Sequence, residues 1–192
     1  MAQFGSAVFL VATALSILAC QTAQPAMAKH ERAYPPRILE ADTDAAAFYV
    51  EFCARDEAGE LGHSYVTLGT IDASGRMRQT TVVGFLPKSA EDDRWSKFGL
   101  PVAGIVGVAQ SDLTKRPHAR FRVTISRAQY LHVLREIHNL RSSWKTYELL
   151  MRNCNNFVGE IAASVGLRSP MVTLQYPVRY VTDLRALNSP MP

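Results

Sequence analysis

Alternation of apolar and polar positions dominates residues 48–86, and helical spacing takes over after residue 125. The run Phe48-Tyr49-Val50-Glu51-Phe52-Cys53 predicts a first strand over 48–54. The polar turn Asp56-Glu57-Ala58-Gly59-Glu60 separates it from a second strand over 63–71, in which period-two alternation puts Val66 and Leu68 on one face and His63, Tyr65 and Thr67 on the other. Asp72-Ala73-Ser74-Gly75 is a turn and Thr80 to Leu86 a third strand, so residues 63–86 read as a hairpin or meander.

From Pro87 to Pro117 the periodicity is poor. This segment holds Trp95, Phe98, the apolar run Pro101 to Val108 and Asp112, and reads as an irregular excursion with room for a short strand. Loops of this length are uncommon unless they shape a site, so the segment reads equally as a loop bordering a substrate groove or as a structural element with a weak pattern. Phe121-Arg122-Val123-Thr124-Ile125 alternates as a strand, and Ser126 with Gln129 forms a capping box. Tyr130, Val133, Leu134, Ile137 and Leu140 then recur at helical spacing over about four turns. Trp144 to Met151 leads toward the site region, and Asn153 caps a last clear helix. Cys154, Phe157, Val158, Ile161 and Val165 share one face of that helix, Gly166 ends it and Pro170 stops any continuation. The β-rich stretches Val172-Thr173-Leu174 and Val178-Arg179-Tyr180-Val181 predict an edge strand within 171–182, followed by a flexible tail over 184–192.

The ends change the picture of where this domain works. The first 28 residues contain no Asp, Glu, Lys, Arg or His, and Val8 to Ala19 is a nearly unbroken apolar stretch, too short to cross a bilayer. It reads as a signal peptide over 1–28, ending in Ala26-Met27-Ala28, with a competing lipoprotein-like box Ile17-Leu18-Ala19-Cys20 that would anchor the chain to a membrane through a lipidated Cys20. Either route exports the chain, to the periplasm or beyond. Residues 29–46, with Pro35-Pro36, form an N-terminal arm, leaving 47–183 as a single α+β domain. The formal charge of +4 is spread without a Lys/Arg block and makes no case for nucleic acid.

Two cysteines lie beyond the leader, Cys53 and Cys154. An exported pair admits a disulfide, and a non-enzymatic binding or structural protein held by a Cys53–Cys154 bond is one reading. The chemistry of Cys154 supports another. At the first turn of a helix, unpaired N–H groups and the positive end of the dipole favour a thiolate, and the cysteine's own N–H can face an oxyanion. His63, opening a strand, can take the thiol proton and pass it to a leaving group. His30 lies in the arm, His118 follows Pro117, and His132 and His138 ride on the long helix, which leaves His63 as the candidate base. A third polar residue usually orients such a base, and Gln79, Thr80 and Thr81 on the next strand are the candidates. Tyr65 and Asn155 are candidates for lining the site or its oxyanion region. The chain has no Cys-x-x-Cys pair and no His-Glu-x-x-His motif, so no metal or other cofactor is expected.

Gly62-His63-Ser64 leading a strand and Asn153-Cys154-Asn155-Asn156-Phe157 leading a helix together resemble the circularly permuted branch of the NlpC/P60 papain-like superfamily, which includes PPPDE-like peptidases and lecithin:retinol acyltransferase-like proteins. The histidine-before-cysteine order carries the resemblance, over roughly 48–86 and 121–170. It implies a small antiparallel sheet packed against the helix that bears the cysteine, with Cys154 as nucleophile and His63 as general base. It also implies an amidase or peptidase acting on envelope or peptidoglycan peptides or glycopeptides, or else an acyltransferase or lipid/ester hydrolase with an acyl-lipid substrate.

Overall fold

The computed structural model describes residues 45–56 and 61–189. The expected leader with Cys20, the arm up to residue 44, the turn residues 57–60, the side chain of Thr80 and residues 190–192 lie outside the described residues.

Six antiparallel strands form one sheet in the order β5-β1-β2-β3-β4-β6, where β1 is Ala45–Arg55, β2 His63–Asp72, β3 Met77–Pro87, β4 Val102–Gly107, β5 Ala119–Ile125 and β6 Thr146–Tyr147. The architecture is α+β, with five helices among the described residues: α1 Ala90–Ser96, α2 Gln110–Thr114, α3 Arg127–Ser143, α4 Cys154–Ser164 and α5 Pro177–Asn188. Alternation along β1 and β2 sends Val50, Phe52, Val66 and Leu68 into one core with Ile137 of α3, Phe157 and Ile161 of α4, and Leu184 of α5. The opposite face of β1 is buried as well. There Glu51 accepts hydrogen bonds from Arg120 and Arg122 of β5, at 2.8 Å from one nitrogen of each. Long basic side chains lying across the strand exclude water from a face that alternation alone would leave wet.

Register fixes what lies beside His63. Arg55 is opposite it on β1, and Tyr65 pairs with Gly84 on β3. The excursion over 87–117 is more ordered than its periodicity suggests: the apolar run contains β4, which pairs with β3 through Phe85 and Val106. Ser89 caps α1 by accepting from the Asp92 N–H.

Two terminal expectations are corrected. Residues 171–176 are irregular, and 177–188 form α5, where an edge strand and a flexible tail were predicted. Pro177 at the first helical position needs no N–H partner, and Tyr180, Val181 and Leu184 recur at helical spacing with all three fully buried. The local β-propensity of the valines yields to that burial. At the other end β1 begins at Ala45, inside the segment assigned to the arm. Among the described residues no helix is long and apolar enough to cross a membrane.

Candidate functional site

The helix that carries Cys154 starts where a single residue forces it to. Asn153 is extended, and its side-chain oxygen accepts the N–H groups of Asn155 (2.8 Å) and Asn156 (3.2 Å), while the Asn156 side chain accepts the Asn153 N–H (3.0 Å). This reciprocal cap sets Cys154 at the first helical position, where it is buried. Helix α4 packs on β2 and β3, and that packing brings its first turn to the start of β2. The Ser64 hydroxyl donates to the Asn155 side-chain oxygen at 2.8 Å, tying the two elements together across 91 residues of chain.

His63 and Cys154 meet there, joined by a hydrogen bond. The imidazole Nε2 has no hydrogen-bond partner. Burial by itself raises the Cys154 thiol, but the hydrogen bond and positive charge of His63, with the N–H of Ser64, outweigh it and bring the thiol down to about 7. Burial likewise works against a charged His63, yet the Asp112 carboxylate and then Cys154 hold the imidazole above its ordinary value. Both shifts run the same way, each favouring the thiolate–imidazolium form of the pair.

The third polar residue is Asp112, in the excursion. Its Oδ2 lies 3.6 Å from His63 Nε2, beyond hydrogen-bond range, so it acts on the ring as a charge. Asp112 is held in turn by Arg55, whose Nε is 3.0 Å from Oδ1, and by the Ala109 N–H at 3.2 Å; Arg55 also donates to the Ser111 hydroxyl. The residues expected in that role stand elsewhere. Gln79 and Thr81 pair with Gly69 and Leu68, five or more residues along β2 from His63, which at strand rise is roughly 17 Å or more. The residue of β3 that does border the ring is Gly84: a Cβ there would lie 2.6 Å from His63 Nε2.

Tyr65 stacks against the His63 ring, centroids 6.0 Å apart and planes 15° from parallel, and so braces it from the strand. Asn155 is spent on structure: its amide donates to the carbonyls of Thr173 and Gln175, both at 2.9 Å, leaving no hydrogen for an oxyanion. The better donor is Tyr147 of β6. Its hydroxyl is hydrogen-bonded to the Cys154 side chain and backbone, and burial, then the charge and hydrogen bond of Cys154, push it well above its ordinary value, so it stays a protonated donor beside the sulfur.

Cys53 and Cys154 are both free thiols. Cys53 lies against Glu51 on the far face of β1, and burial with the Glu51 carboxylate pushes it up to about 12. The disulfide reading is therefore corrected: the two cysteines are unbonded, and their surroundings shift the two thiols in opposite directions. Among the described residues no group of three His, Cys, Asp or Glu side chains could hold a metal ion.

Two cavities flank the pair and share Gly62 and Tyr147. One, of about 210 Å³, opens on Cys154 and is walled by Leu61, Leu149, Leu174, Tyr176 and Pro177. The other, of about 450 Å³, opens on His63 and is walled largely by the excursion, through Asp93, Gln110, Ser111, Thr114 and Lys115.

Of the residues sequence reasoning passed over, Ser64 was signalled by following His63 directly, and Tyr147 by lying in the segment that leads to Asn153. Asp112, Arg55 and Gly84 carry no local signal, because only sheet register and the fold of the excursion bring them to the ring. The chain matches no protein-family model, no curated protein and no solved structure.

Proposed function

We propose that this protein is an exported thiol hydrolase that cleaves amide bonds, with envelope peptides as the substrate class and a permuted papain-like arrangement of the site. The observation that carries the reading is the buried His63–Cys154 hydrogen bond with the thiol brought down to about 7. Asp112 behind the imidazole and Tyr147 beside the sulfur complete a base, a positioning charge and an oxyanion donor.

The Cys154 thiolate attacks the scissile carbonyl carbon, forming a C–S bond and a tetrahedral oxyanion that the Tyr147 hydroxyl stabilises. The His63 imidazolium gives its proton to the departing nitrogen as the C–N bond breaks, releasing an amine and leaving a thioester on Cys154. Water then attacks the thioester while neutral His63 takes its proton. The acid is released, and the proton held by His63 restores the thiolate–imidazolium pair. A second reading, acyl transfer or ester hydrolysis by the same dyad, draws support from the apolar walls of the cavity at Cys154.

The test is mass spectrometry of the intact protein during incubation with envelope peptides and with acyl amides and esters. An acyl adduct on Cys154, absent in Cys154→Ala, and slowed by about 10²-fold or more in His63→Ala, is the expected result. Turnover that survives in Cys154→Ala would remove the proposal.

A further inference from the structure

The two cavities divide a substrate between them, and the chemistry assigns which part goes where. The group that stays on the sulfur as a thioester must sit on the Cys154 side, and the group that receives the proton must leave on the His63 side. Cys154 lines the 210 Å³ cavity and His63 lines the 450 Å³ cavity.

Apart from the Cys154 sulfur itself, the cavity at Cys154 has no charged residue in its wall. Its three side-chain amides are committed to the protein: the Asn153 amide donates to the Leu149 carbonyl (2.8 Å), Asn155 to those of Thr173 and Gln175, and Gln175 to that of Val172 (2.9 Å). Those bonds also pin the irregular segment 171–176, so Leu174 and Tyr176 stand as a fixed rim rather than collapsing onto the core. Leu61, Leu174 and Tyr176 are exposed, at 40%, 53% and 66%. An unfilled apolar wall beside a nucleophile gains most from an apolar ligand that removes it from water. An enclosed apolar cavity of about 150 Å³ suffices for benzene, so 210 Å³ has room for a group of phenyl or short-alkyl size. The opposite cavity, with Asp93 and Lys115 in its wall, suits a polar amine.

Resting on the thiol-hydrolase reading, we propose that Cys154 selects substrates whose carbonyl side carries one compact apolar group. Two sources share that chemistry, a hydrophobic amino-acid residue and a short fatty acyl chain.

The test is labelling of Cys154 in the purified chain by methyl, pentyl and benzyl chloromethyl ketones, each rate divided by its rate with free cysteine. The ketone substituent occupies the carbonyl side when the sulfur displaces chloride. Expected is a normalised gain of about tenfold or more for pentyl or benzyl over methyl. The gain collapses in Leu174→Arg, whose exposed site tolerates the charge in folding, and persists in Arg135→Ala on the outer face of α3. N-acetylphenylalanine amide and hexanamide are then compared as protectants, and the stronger identifies the source. Fast labelling by all three ketones without a gain would overturn the apolar assignment and leave the thiolate reading standing. Labelling no faster than that of free cysteine by any ketone would overturn both.

Discussion

At the scale of single residues, the site depends on charges that burial would otherwise suppress. Cys154 is brought down to about 7 despite its burial, while Cys53, also buried but facing Glu51, is pushed up to about 12. Iodoacetamide labelling of the native protein is therefore expected to reach half its limiting rate near pH 7 and to fall on Cys154 alone among these two. In His63→Ala, burial is left with less to oppose it, so the half-point moves to higher pH and labelling at neutral pH slows; an unchanged profile would separate the histidine from the thiolate. Asp112→Asn removes the charge that raises His63. The imidazolium then loses its proton at lower pH, its support of the thiolate weakens, and the thiol titrates at higher pH. The window in which both are charged narrows from both sides, which a pH profile of labelling and of kcat would record. A role for Asp112 confined to holding Arg55 would lower stability without moving either limb.

At the scale of elements, the site is a meeting of ends: the start of β2, the start of α4, the first turn of α2 and the short β6. Hydrogen bonds from Asn153, Asn155 and Ser64 hold the α4 end, and Tyr65 and Gly84 fix the space in which the His63 ring turns. Gly84→Ala places a methyl group 2.6 Å from Nε2 and 3.2 Å from the Tyr65 Cβ, so the ring must shift away from Asp112 or from the sulfur. The expected outcome is a loss of Cys154 reactivity at neutral pH with the far-UV spectrum preserved; wild-type reactivity would show that the ring has more room than the strand allows. The Asn153→Ala variant loses the cap that accepts two N–H groups, at a cost of about 1 kcal/mol, readable as a shift of the urea midpoint.

At the scale of the whole molecule, three helices seal one face of the sheet, and the last of them comes from a segment whose local pattern resembles a strand. Tyr180, Val181 and Leu184 are fully buried, so Leu184→Ala is expected to cost about 2–5 kcal/mol in urea denaturation, whereas a flexible tail would tolerate it without effect. The sequence by itself determined the strands of the 48–86 meander, the long capped helix α3, the Asn153 cap and the presence of one histidine and one cysteine at element starts. These are local properties: alternation, helical spacing, and side chains that satisfy the N–H groups beside them. What only the tertiary structure decided is everything that depends on register and packing between distant segments. That includes the pairing of His63 with Cys154, the supply of Asp112 from an excursion with weak periodicity, and the displacement of Gln79 and Thr81 far along the sheet. It also includes the free state of Cys53 and the helical state of residues 177–188. No local pattern encodes these, because each follows from which apolar faces bury one another, and burial is settled by the whole core at once.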